Sequence, residues 1–186
     1  MSTDPTSPPP PHQAALARLC AEAAPYLSRG DYSPAIEILE RAHRLDPADR
    51  KVVLDLGYTN ALGYNFPAAE RWFDKALQLA PERTGMLMAI AERWSDVRRF
   101  DLAASVYEEV LEQPNTPVGA FYGLAKIYAR QRQLDKASEI AERAMQVHGT
   151  HEAAMLTRGK VYRETGQLEQ AEKMLRLVVA KPGCDA

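Results

Sequence analysis

A period of 34 residues constrains this chain more than any other feature. Steps of 34 from Ala35 land on Ala69, Ala103, Ala137 and Ala171, all alanine. From Ala23 the same step reaches Gly57, Ala91, Ala125 and Gly159, all small. From Leu19 it reaches Val53, Leu87, Phe121 and Met155, and from Tyr32 it reaches Phe66, Phe100, Leu134 and Leu168, all large and apolar. A fifth column, Tyr26, Asn60, Trp94, Tyr128 and Tyr162, is aromatic at every place except Asn60. Columns in phase over five units without an insertion describe an array of supersecondary units, one per period.

Each unit reads as two helices. In the first half, apolar residues recur three and four apart, as in Leu87, Ile90, Ala91 and Trp94, the spacing of one helical face. A short turn follows, with Gly30 and Gly166 suited to a left-handed helix end. Ser33-Pro34 is expected as an N-cap with Pro at the first helical position. A second stripe then appears, as in Ala69, Trp72, Phe73 and Ala76, and Pro47 and Pro81 are expected to stop that helix. Pro25 falls inside the first helix and is expected to bend it by removing a hydrogen bond. Small residues recur because two helices that cross closely leave no room for a large side chain. One unit cannot bury both of its stripes, so the units must stack.

This pattern resembles the tetratricopeptide repeat (TPR). Small residues stand at motif positions 8, 20 and 27, bulky ones at 4, 11, 17 and 24, and Pro closes the first two units. Repeats are expected at 16–49, 50–83, 84–117, 118–151 and 152–183, within a domain spanning 13–183. Asn115, Gly149 and Gly183 depart from the closing Pro, Ala141 from a bulky position, and Val110 and Val178 from a small one. The resemblance implies an all-α fold, an α-solenoid of five helix-turn-helix repeats forming a right-handed superhelix. Its concave surface would be lined by the first helix of each repeat.

On that surface, motif position 5 faces the groove in the family. Here it carries Cys20, Leu54, Met88, Tyr122 and Leu156, an unbroken apolar row. Position 9 adds Tyr58, Glu92, Lys126 and Lys160, and Arg163 stands nearby. Positions 2 and 6 are mostly small, so the expected groove is roomy and apolar along its middle. Such a surface suits an amphipathic helix or an extended peptide with apolar anchors. The expected groove residues are Leu54, Tyr58, Met88, Glu92, Tyr122, Lys126, Leu156, Lys160 and Arg163, and the expected partner is a protein or peptide. Family members that grip C-terminal carboxylates use Lys, Asn and Arg side chains. The corresponding places here hold Cys20, Ala24, Asp55, Gly85 and Ala89, which cannot supply those charge-assisted bonds.

Glu92 and Lys126 are one repeat apart, as are Asp96 and Arg130, and Arg130 and Glu164. They are expected to form a ladder of ion pairs between neighbouring helices, each worth about 0–1 kcal/mol. Lys160 and Arg163 lack a partner by this rule and are the expected contacts for an acidic ligand.

No phosphate-cradling loop, H-E-x-x-H or G-x-S-x-G occurs. His148 and His151 are expected to be solvated loop residues, and Cys20 an apolar groove residue rather than a nucleophile. No catalytic residue, cofactor or metal site is expected, and the chain is not read as an enzyme. A formal net charge of −2 gives no general attraction to nucleic acid or an anionic membrane. Cys20 and Cys184 form no disulfide framework, and a cytoplasmic location is expected.

Residues 1–12, with five prolines in the first eleven places, are expected to be a disordered leader. At the other end, Met174, Leu175, Leu177, Val178 and Val179 make the last helix apolar on more than one face. An array expects a polar cap there. A truncation point at 184–186 and self-association through the uncapped helix are therefore expected. The alternative function is the N-terminal recognition module of a larger bacterial enzyme, such as a TPR-sulfotransferase.

Overall fold

The computed structural model describes residues 11–149 and 152–179. The expected leader lies outside the described residues up to residue 10, while its last two places, Pro11 and His12, open the first helix; the tail from residue 180 and His151 also lie outside the described residues. Among the described residues there are ten helices and no strand. The first helices of the repeats are α1 (Pro11–Arg29), α3 (Arg50–Leu62), α5 (Arg83–Asp96), α7 (Val118–Arg130) and α9 (Glu152–Glu164). The second helices are α2 (Tyr32–Leu45), α4 (Phe66–Leu79), α6 (Phe100–Leu111), α8 (Leu134–His148) and α10 (Leu168–Val179).

The chain divides into two compact units, Met1–Met86 and Leu87–Ala186. In the first, α1 packs on α2, α2 on α3, and α3 on α4. In the second, α6 packs on α7, α7 on α8, α8 on α9 and α9 on α10, and α7 also meets α9 directly.

The repeating alanines lie where helices cross. Ala35, Ala69, Ala103 and Ala137 are wholly buried, and Ala171 nearly so. Gly57 has the same logic in sharper form: a Cβ there would stand 2.5 Å from the Phe73 ring, far inside van der Waals contact. Burial of Val53, Leu87, Phe121 and Met155 puts the bulky column of each later repeat in its core, while Leu19 of the first is half-buried. The first unit's core gathers Ile38, Leu39, Val52 and Leu56, with Leu16, Leu19 and Trp72 packed against them.

The turn inside every repeat is the same Schellman motif. The N–H of Asp31 bonds the carbonyl of Tyr26, and that of Gly30 bonds Leu27. The same pair of bonds recurs at Asn65 and Tyr64, Arg99 and Arg98, Gln133 and Arg132, and Gln167 and Gly166. This motif places its central residue in the left-handed region. Gly30 and Gly166 adopt it freely at φ +77° and +79°, but Tyr64, Arg98 and Arg132 adopt it as well, at +61° to +63°.

That geometry corrects one expected cap. Because the Schellman turn hands the chain straight on, α2 starts at Tyr32 with Asp31 before it, and Ser33 lies inside its first turn. Side-chain caps occur at the repeat junctions instead. Asp49 accepts from the Val52 N–H at 2.8 Å, and Glu82 accepts from Thr84 and Gly85 ahead of α5. Helices α2 and α4 end just before Pro47 and Pro81, as expected. Pro25 lies within α1, which runs on through it.

Candidate functional site

The position-5 row is half-buried throughout: Cys20, Leu54, Met88, Tyr122 and Leu156 are each neither core nor fully exposed. These side chains are partly covered by neighbouring helices and still present a face outward.

In the second unit, α5, α7 and α9 bring part of the row together. The Met88 methyl lies 3.2 Å from where a Cβ of Gly119 would stand, so the bare glycine lets α7 carry that side chain on its surface. One turn further along α7, the Tyr122 ring is covered by the Lys160 ammonium from α9, 5.0 Å from the ring centroid. Lys160 therefore has a partner after all, the face of an aromatic ring.

Beside this row lies a pocket of about 240 Å³. Glu92, Ser95 and Asp96 of α5 form one wall, and Tyr122, Lys126 and Arg130 of α7 the other. Its floor is Tyr107 of α6, which is 4% exposed. The Tyr107 ring crosses α7 over Gly123, and a Cβ at that position would collide with the ring and its hydroxyl. Burial first, then the Glu92 and Asp96 carboxylates, push the Tyr107 hydroxyl up to about 12. It therefore stays protonated, a hydrogen-bond donor near two carboxylates.

The expected ladder of ion pairs is not formed. Arg130 donates to the Ser95 hydroxyl at 3.3 Å and lies 5.9 Å above the Phe100 ring centroid. Asp96 is met at 3.9 Å by Arg93 on its own helix. Glu164 is 4.0 Å from its sequence neighbour Arg163. Arg130, Asp96 and Glu164 have each found a nearer partner than the counterpart on the adjacent helix. Glu92 and Lys126 are left lining one pocket without an ion pair between them.

In the first unit, Leu54 and Tyr58 are half-buried on α3. Cys20 packs against the core formed by α2 and α3. Burial pushes its thiol up, with Lys51 opposing that shift, so the sulfur is held as a thiol and lacks the low pKa of a reactive cysteine. Lys51 itself is bound to Asp55 at 2.8 Å.

Sequence reasoning missed Tyr107 and Ser95 as parts of the pocket. The small residues at positions 2 and 6 announced the space, but nothing marked a second-helix tyrosine as the side chain that fills it. His148 also differs from expectation. It ends α8 and packs edge-on against the core residue Phe121, with ring centroids 5.7 Å apart, rather than standing in solvent. Among the described residues no group of His, Cys, Asp and Glu could hold a metal ion, and no helix is long and apolar enough to cross a membrane.

Ten helices among the described residues, five identical turns and a buried alanine in the second helix of each repeat define a helix-pair repeat protein. Tetratricopeptide-repeat family models match residues 20–84 and 95–146, and a second such model matches residues 131–183. The chain belongs to the tetratricopeptide-repeat family. None of the curated proteins compared matches it significantly. Among solved structures it is similar to Pseudomonas aeruginosa pilF, at 16% identity and a TM-score of 0.55 over 90% of this chain and 77% of that one. It is also similar to MamA, at 19% identity and a TM-score of 0.51 over 84% and 92% of the two chains. A third is a tetratricopeptide repeat protein from Parabacteroides merdae, at 17% identity and a TM-score of 0.54 over 92% and 68%. At these identities the likeness shows the fold.

Proposed function

We infer that this chain is a protein-interaction scaffold that binds a peptide or partner helix along the first helices of its repeats. The half-buried row of Met88, Tyr122 and Leu156 beside the Tyr107 pocket is the observation that carries this reading. Half-buried apolar side chains offer anchor points at little cost, because their positions are already restrained by packing. The pocket adds direction. Acidic groups on α5 and basic groups on α7 favour a segment whose charges run in the complementary order. Leu54 and Tyr58 extend the same chemistry within the first unit. The side chains needed for a carboxylate clamp are missing, so the partner is held by internal residues rather than by its C-terminus.

The test is capture with the purified chain and with Tyr122→Glu and Leu156→Glu variants, with helicity monitored by circular dichroism. The reading expects both variants to stay helical and lose the captured protein. Undiminished capture by folded variants would move the site elsewhere.

A second contact surface is supported by α10. Its Met174 and Val178 turn inward, whereas Leu175 and Leu177 are exposed. Exposed leucines on this helix favour burial against another copy of the chain. Light scattering should show mass falling toward the monomer in Leu177→Lys. A monomer in both forms would remove this reading.

A further inference from the structure

One column of the repeat is broken, and the break leaves a hole. Where the other repeats carry Tyr26, Trp94, Tyr128 and Tyr162, the second carries Asn60. Tyr128 shows what the aromatic residue does. Its hydroxyl donates to Glu108 of α6, and the Lys136 ammonium from α8 lies 5.3 Å from its ring centroid. The cavity beside it, between α6 and α8, holds about 360 Å³.

Two repeats earlier, the same positions give a different result. Asn60 stands in the place of Tyr128, and Glu40 in the place of Glu108. The cavity between α2 and α4 reaches about 630 Å³, with both residues in its lining. Asn60 is only 4% exposed. Its Nδ2 donates to the Leu56 carbonyl at 2.8 Å, while its Oδ1 accepts no hydrogen bond among the described residues. Glu40 likewise receives no hydrogen bond there, whereas Glu108 receives a phenol. An aromatic ring, that of Trp72, stands where Ile140 lines the cavity beside Tyr128. It is held edge-on by His43 at 5.0 Å between ring centroids and by the Lys75 ammonium at 5.4 Å.

We propose that the cavity between α2 and α4 takes the side chain of a tyrosine from a partner polypeptide. The ring lies against Trp72, and the hydroxyl donates to Glu40 as Tyr128 donates to Glu108. The Asn60 amide oxygen and the Glu40 carboxylate both line the cavity and are two hydrogen-bond acceptors, which favours tyrosine over phenylalanine. Residues 1–10 and 180–186 contain no aromatic side chain, so none of these residues supplies the ring. The inference stands apart from the groove on the first helices and uses none of its residues.

The test is a titration of the isotope-labelled full chain, following the Trp72 indole N–H resonance, which a Trp72→Phe variant assigns. The probes are N-acetyl-tyrosinamide, N-acetyl-phenylalaninamide and free L-tyrosine. The tyrosine amide should move the resonance saturably, with the phenylalanine amide roughly tenfold weaker, the usual worth of a hydrogen bond to a charged group. Glu40→Met should bring the two amides together, and Asn60→Tyr should abolish both responses by filling the cavity from within. If Asn60→Tyr does not fold, Glu40→Met decides alone. No saturable movement, equal binding of the two amides to the parent chain, or an unchanged preference in Glu40→Met would overturn the proposal. Tighter binding of free tyrosine than of its amide would assign the cavity to an amino acid and overturn the partner as well.

Discussion

The ammonium of Lys160 stands over the face of Tyr122, 5.0 Å from the ring centroid, and so joins α9 to α7 on the surface proposed for binding. Both side chains remain partly open to solvent, so the contact is of the exposed kind. A double-mutant cycle with Lys160→Met and Tyr122→Leu should return a coupling of about 0.5–1 kcal/mol in chemical denaturation. A coupling indistinguishable from zero would mean that Lys160 is free to meet a ligand directly.

The Schellman turns make a prediction that runs against ordinary mutational experience. Arg132 is exposed and held at φ +63°, where a side chain is strained and glycine is not. Arg132→Gly should stabilise the protein by roughly 0.5–1 kcal/mol, and Gly166→Ala should destabilise it by about 1 kcal/mol. Both are read as shifts of the urea midpoint at unchanged slope. Loss of stability in Arg132→Gly would contradict a left-handed turn at that position.

His43 is expected to make stability depend on pH. Burial first, then Lys75 and Arg44, hold its imidazole below the ordinary value of 6.5, against weaker opposition from Asp46 and Glu40. Its Nε2 lies 2.7 Å from the Lys75 ammonium, an arrangement that requires a neutral ring. Between the folded and unfolded pKa values the unfolded chain binds more protons, so stability falls as pH drops below 6.5 and levels off beneath the folded value. The slope between about pH 7.5 and about pH 5.5 should be shallower in His43→Gln. An equal or steeper slope in the variant would place the titrating group elsewhere.

The repeat register was legible because each column reports a steric demand. A residue such as Ala103 or Ala137, wholly buried at a crossing, has no room to vary. The turns were legible in every repeat, but their left-handed residue only at Gly30 and Gly166, since nothing in Tyr64, Arg98 or Arg132 announces a positive φ. There the repeating fold overrides local preference. The charges were misread for a related reason. Spacing puts Asp96 opposite Arg130, but a long side chain chooses among all neighbours within its reach, and Arg130 settles on Ser95 and Phe100. The half-buried apolar row was legible as a row of residues and the pocket beside it was not, because Tyr107 enters from a second helix through the gap left by Gly123.

The central claim is that partners bind along the first helices, and site-specific photocrosslinking tests it most directly. A benzophenone amino acid is placed at Met88, at Leu156 and, as a control, at Gln146, which is exposed on α8. The account predicts crosslinks to the captured partner from 88 and 156 and none from 146. Crosslinks from 146 alone, with folded and silent 88 and 156 variants, would contradict it.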